Sequence, residues 1–248
     1  MMDKRYLEEV EFKLLQLNST PKPEKWMHKN YIGARQSQLK FLDLKIPQVR
    51  LIFKNGFSFS TLSIPKQWAI WDSIWKNSLI FEVMLFPLMF VDTRPISEID
   101  QHDKKILRWI KRIDNWAHSD GLSKYYAHLL EYNCTKYFPI INKWSNSKNP
   151  WEIRQSLVSL FYYSSLRKKY IPFNKIIKII DKHLHHPHYY VQKGVGWTLR
   201  ESFNVYPQKT FKYISQHAQL INPVAWVAAT EKLSPQEKRK VTLLRKKR

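Results

Sequence analysis

Apolar residues along this chain recur at intervals of three and four rather than two, which is the period of helices packed on one face. In "DGLSKYYAHLLEYNCTKYF" (120–138), Leu122, Tyr125, Tyr126, Leu129 and Leu130 share a face, and in "PWEIRQSLVSLFYYSSLRKK" (150–169) Ile153, Leu157, Leu160 and Phe161 do the same. "FNKIIKIIDKHL" and "YYVQKGVGWTLRESF" follow the same rule. Proline and polar punctuation at "NSTPKPEK", "DTRPIS", "SKNPW", "HHPHYY" and "VYPQK" cuts the chain into short helices with short connections. With only 5 glycines in 248 residues, the pattern predicts an all-α fold. Two stretches, "NWAHSDGLSKYYAHLL" and "KWSNSKNPWEIRQSLVSL", both run Trp, two residues, Ser, a turn and an amphipathic helix, and "HHPHYYVQKGVGWTL" repeats the last part. Recurring helix pairs predict a curved solenoid, or superhelix, of antiparallel helix pairs with a concave groove. No linker long enough to divide the chain is visible, so residues 1–248 are expected to form a single domain.

Charge narrows the partners. Lys and Arg outnumber Asp and Glu 42 to 20, a net +22, which suits a phosphate backbone or an anionic membrane surface. A spanning segment is not written here, because the most apolar run, "SLIFEVMLFPLMFV" (78–91), is too short and holds Glu82 and Pro87; it reads as a buried helix. The N-terminal "MMDKRYLEEVEF" is amphipathic and acidic, unlike a secretory signal. Cys134 is the sole cysteine, which excludes an internal disulfide and a cysteine-based metal site and fits a reducing, cytoplasmic setting. His183, His185, His186 and His188 lack a helical i, i+4 pair with a carboxylate, so they read as a turn between repeats rather than a metal site. The run "EKRKVTLLRKKR" (237–248) reads as a short basic tail from about residue 238, solvated and adding nonspecific phosphate attraction.

Three separated segments, "DNWAHSDGLS" (114–123), "SKNPWEIRQSLVSLFYY" (147–163) and "YYVQKGVGWTLRE" (189–201), resemble the signature segments of the AlkD-type DNA alkylation repair family, bacterial glycosylases built from HEAT-like helical repeats. The similarity extends more loosely through "LKIPQVR", "AIWDSIW" and "LSPQEKRK". It implies a HEAT-like solenoid with a basic groove that excises positively charged N3- and N7-alkylated purines from duplex DNA without flipping the base. By that resemblance Asp120, Trp116 and Trp197 are catalytic, with the carboxylate and ring faces stabilising cationic charge at the sugar and the lesion. Arg154 falls where the family places an arginine on the DNA backbone. Trp26 stands roughly where relatives carry an aromatic residue against the lesion strand, commonly Tyr, and Arg200 is a further groove residue that could instead pair with Glu201 or a neighbouring helix.

Taken alone, the same residues allow plainer roles. "SDGL" is also a helix N-cap pattern, Trp116 and Trp197 are ordinary core tryptophans, and Arg154 is a solvent-facing arginine. The resemblance implies a monofunctional enzyme that leaves an abasic site, with Lys124 the nearest lysine that could argue otherwise. It implies a monomer acting on double-stranded DNA with alkylated bases, and no cofactor, metal, membrane or obligate protein partner. The competing readings are a non-catalytic DNA-binding repeat protein of the same family and an RNA-binding scaffold.

Overall fold

The computed structural model describes residues 4–17 and 21–246. The first residues of the N-terminal stretch and the last two of the basic C-terminal run lie outside them. Among the described residues there are fifteen α-helices, three 3-10 turns, no strand, and one isolated parallel bridge between Lys40 and Ile80. The all-α expectation holds. No helix among the described residues is long and apolar enough to cross a membrane.

Two compact units divide the chain, Met1–Leu122 and Ser123–Arg248. In the first run α1 (Arg5–Leu15), α2 (His28–Tyr31), α3 (Ile46–Asn55), α4 (Ile64–Asn77), α5 (Leu85–Asp92), α6 (Ile96–Gln101) and α7 (Asp103–Trp109). The boundary falls inside the continuous helix α8 (Trp116–Tyr132), which accounts for the missing linker. The second unit continues with α9 (Cys134–Trp144), α10 (Pro150–Val158), α11 (Phe173–Asp181), α12 (Tyr189–Val205), α13 (Pro207–Gln216), α14 (Pro223–Ala229) and α15 (Pro235–Lys246).

Aromatic packing makes the core of the first unit. Trp68, Trp71 and Trp75, at i, i+3 and i+7 of α4, are all buried, with Phe57, Phe59, Phe86 and Phe90 around them. Each such ring contributes on the order of 1.5–3 kcal/mol by leaving water. The indole N–H groups are satisfied as burial requires: Trp75 donates to the Trp109 carbonyl at 3.1 Å, and Trp109 to Asp72 at 2.9 Å.

The second unit is organised around α12. Gly194 and Gly196 stand two residues, hence about 200°, apart on this helix and face opposite neighbours. A Cβ at Gly194 would meet Leu157 and Arg154 of α10 at 3.4 and 3.6 Å. At Gly196 it would lie 2.3 Å from the Ala225 carbonyl oxygen of α14, so only glycine allows the two backbones to come this close. Buried hydroxyls join the layers: Ser123 of α8 and Ser159 both donate to the Gln155 side chain of α10, at 2.8 and 3.0 Å.

Two local expectations are corrected. The apolar run 78–91 is helical only from Leu85, because Glu82 is fully buried and its carboxylate accepts from the Leu42 backbone N–H, holding 79–84 as a bridge and turn. The basic C-terminus, read as a solvated tail, is the docked helix α15. Its Val241 is fully buried, and Arg245 donates to the carbonyls of Ala218 and Ile221 at 2.6 and 2.7 Å while its guanidinium lies over the Trp226 ring at 4.5 Å.

Candidate active site

Trp26, Trp116 and Asp120 belong to the first unit; Arg154, Trp197 and Arg200 belong to the second. The start of α8 is built with unusual redundancy. Asn115 caps it, its side-chain oxygen accepting from the His118 backbone N–H at 2.9 Å. Cap and neighbour then lock each other, since the Asn115 amide also reaches His118 Nδ1 at 3.0 Å and His118 Nε2 reaches the Phe81 carbonyl at 3.2 Å. The ring of His118 is fully buried and stacked on Phe81. Burial, the largest cause, pushes its pKa down to about 3, and Arg112 pushes in the same direction against the Phe81 carbonyl. His118 is therefore neutral, an internal strut and not a titrating group at neutral pH. Because Asn115 is the cap, the capping role offered by "SDGL" falls away: Asp120 is the fifth residue of α8, inside the helix.

Trp116 is pinned twice to the end of α2. Its backbone N–H donates to the Ile32 carbonyl at 3.2 Å and its indole N–H to the Tyr31 carbonyl at 3.1 Å. The helix α2 is itself fixed from below: the His28 backbone N–H donates to Asp43 at 2.6 Å, and the His28 ring approaches the buried Glu82 carboxylate at 3.2 Å. The result is a chain of rings at the surface. Trp116 meets Tyr31 edge-on at 5.5 Å, and Tyr31 meets Trp26 at 5.4 Å, with Trp26 and Tyr31 about half exposed. Asp120, half-buried, follows Trp116 by four residues, about 6 Å along the axis on the same face. On the next residue, Gly121 turns toward Leu88 of α5, where a Cβ would lie 2.7 Å from the leucine methyl. The tyrosines next to Asp120 in sequence, Tyr125 and Tyr126, are core residues. The rings that meet Trp116, four residues before Asp120, come from α2 and the turn before it.

Trp197 is half-buried on α12 and also has a tyrosine edge against it, Tyr163 at 5.7 Å. Tyr162 and Tyr163 both take positive φ, 34° and 61°, which costs energy for bulky residues and is held by the residue that follows. Ser164 donates to Glu201 from its backbone N–H and its hydroxyl, each at 2.7 Å. Arg200 takes the other alternative raised by the sequence: it pairs with Glu201 at 3.0 Å and Glu231 at 3.3 Å and lies over the Trp197 ring at 5.4 Å. Arg154 is not solvent-facing. It is almost wholly buried and donates to the Tyr190 carbonyl at 3.1 Å, beside a stacked Trp151–Tyr190 pair.

The histidine turn precedes α12 without converging. His183 is buried, His185 exposed, and His186 and His188 lie between. Burial and the neighbouring His186 hold His183 down at about 4, and the Gln192 amide closes the turn by donating to the carbonyls of His183, Leu184 and His186. Sequence reasoning missed Tyr31, Tyr163 and the Asn115–His118 strut. Asn two residues ahead of "AHS" is a capping signal that could have found the last; Tyr31 ends a four-residue helix and Tyr163 lies in an irregular segment, so neither carries a period.

In a basic all-helical protein, a surface chain of rings thus stands one helical turn from a carboxylate residue. A sequence-family model described as "DNA alkylation repair enzyme" matches residues 13–233. The chain belongs to that DNA alkylation repair enzyme family, the AlkD-type group that its three segments resemble. Among solved structures it is similar to a protein described as a predicted DNA alkylation repair enzyme from Enterococcus faecalis, at 15% identity and a TM-score of 0.65, over 88% of this chain and 100% of that one. A second similar structure is AlkD2 from Streptococcus mutans, at 17% identity and a TM-score of 0.47, over 80% of this chain and 87% of that one. No curated protein matches the sequence significantly.

Proposed function

We propose that this DNA repair protein is a monofunctional glycosylase that hydrolyses the N-glycosidic bond of N3- and N7-alkylated purines in duplex DNA. The observation that carries the reading is the placement of Asp120 one turn beyond Trp116, on a helix start pinned by Asn115, His118, Tyr31 and Ile32. In this reading the bond from C1′ to the purine nitrogen breaks with its electron pair, which neutralises the cationic base as it leaves. C1′ and the ring oxygen gain positive charge, and the Asp120 carboxylate stabilises it where it grows. Water then adds to C1′ on the face held by the carboxylate and loses a proton, leaving an abasic site. The open faces of Trp116 and Tyr31 attract the same cations, each worth roughly 0.5–2 kcal/mol according to its desolvation.

A carboxylate held by a rigid helix suits a substrate that stays stacked, because the cation is sought at the backbone and no deep base pocket is needed. Trp197 supplies a second aromatic surface, and Trp26 extends the first along the strand. Arg154 acts in this scheme through the α12 start that it braces, with at most a small exposed edge for phosphate. The test is incubation with duplex DNA methylated at guanine N7 and adenine N3. Release of the free methylated bases, with strands that break only after later alkali treatment, is the expected result. Tight duplex binding without base release would return the protein to the non-catalytic reading.

A further inference from the structure

Helix α15 lies beyond residue 233, where the family match ends, and it is built as a rigid cationic edge. Its start is a reciprocal capping box: the Ser234 backbone N–H donates to Glu237 at 2.9 Å and the Glu237 N–H to the Ser234 hydroxyl at 3.3 Å. Glu237 is the only acid among the helix residues, so the cap occupies the one negative group. Val241 and Arg245 are spent on docking, as described above. What remains outward is Lys238, Arg239 and Lys246, all exposed. Lys240 reaches across to the Phe211 ring of α13 at 5.7 Å, and the next residue of α13, Lys212, is exposed.

We propose that the outward face of α15, together with Lys212, is a second contact surface for the phosphate backbone of duplex DNA, outside the chemical site. This rests on the DNA-repair reading above. From Lys238 to Lys246 the helix advances about 12 Å, the length of three to four base steps along one strand. An anionic membrane is the poorer fit. A helix that lies in a bilayer interface inserts an apolar face, and α15 has used its own for docking, leaving Leu243 as its one large exposed apolar side chain. The surface carries affinity and residence on undamaged duplex, not discrimination of the lesion, because phosphate contacts hold no base information.

The experiment replaces three exposed cations together, Lys238→Gln, Arg239→Gln and Lys246→Gln, with the thermal midpoint checked against wild type. Binding to an undamaged 20-base-pair duplex is measured from about 50 to 300 mM salt. The slope of log affinity against log salt should become shallower by about two to three, with roughly tenfold or greater loss of affinity near 0.1 M. Release of 7-methylguanine at saturating DNA should stay at the wild-type rate. An unchanged slope and affinity overturns the proposal, as does a loss of binding to phosphatidylserine-containing vesicles with duplex binding intact. If the wild type releases no base yet the triple variant still loses duplex affinity, the glycosylase reading fails and the α15 surface stands.

Discussion

Trp116 and Trp197 are set in nearly the same way and differ in what lies beside them. Each is half-buried near a helix surface, and each has a half-exposed tyrosine edge against it, Tyr31 at 5.5 Å and 71°, Tyr163 at 5.7 Å and 83°. The companion one turn along the helix has opposite charge. Beside Trp116 it is the carboxylate of Asp120; over Trp197 it is the guanidinium of Arg200, held there by Glu201 and Glu231. A ring face already engaged with a cation has less to offer an incoming one. The lesson is that two tryptophans of equal standing in the sequence are unequal in electrostatics, with the first unit better equipped to meet cationic charge.

The largest effect that bears on this comparison is expected from Asp120→Asn. Shape and hydrogen-bonding atoms are kept while the charge is removed, so base release should fall roughly 10²–10³-fold, about 3–4 kcal/mol, as for loss of a group that stabilises transition-state charge. The thermal midpoint should move little, because Asn115 and not Asp120 caps the helix. Release within a few-fold of wild type would remove the carboxylate from the chemistry.

A smaller effect concerns the buried histidines, one per unit. With folded pKa values of about 3 for His118 and about 4 for His183, against about 6.5 unfolded, each is neutral in the native state. Below pH 6.5 only the unfolded chain takes up these protons, so stability present above that value declines as pH falls toward 4 and then 3. From pH 7 to 5.5 the loss is about 1 kcal/mol for each residue, read by urea unfolding at the two pH values. Replacing either by Gln should reduce the pH dependence by about half the pair's share. A dependence untouched by both substitutions would show that these rings are not held neutral.

The smallest expected difference separates the two tryptophans themselves. Trp116→Phe removes the indole donor to Tyr31 and shrinks the open face, and should slow base release about five- to tenfold. Trp197→Phe should cost only about twofold, since Arg200 already engages its ring. Equal losses in the two variants, measured on the same methylated duplex, would erase the distinction drawn between them.

What could be read from the sequence followed from periodicity and local chemistry. The faces of α8, α10, α11 and α12 were visible in the spacing of residues such as Leu122, Leu129, Ile153 and Leu157, all buried. The i, i+4 relation of Trp116 to Asp120 was equally legible once a helix was granted. Long-range partners were not. Glu82 breaks an apolar run because its hydrogen-bond donor lies 40 residues away, at Leu42, and Arg154 is buried because α12 closes over it from 36 residues on. The basic C-terminus looked like a tail because one buried valine and two carbonyls, at Ala218 and Ile221, are too weak a signal against its charge. Tyr31 and Tyr163 left no trace, being exposed residues whose position depends on polar anchors elsewhere.

The close approach at Gly196 has a consequence for how the second unit can change over time. Two backbones that touch with no side chain between them have no clearance, so α12 can neither slide nor roll against α14 without colliding. Position 196 is thereby closed to every other amino acid, whereas position 194, with ordinary contacts at 3.4 Å and beyond, can admit alanine with a small adjustment of Leu157. Variation is thus channelled away from the helix that carries Trp197 and into the parts around it. Change around this ring should come through Tyr162 or Tyr163, which lie outside α12, against a tryptophan whose mounting stays fixed.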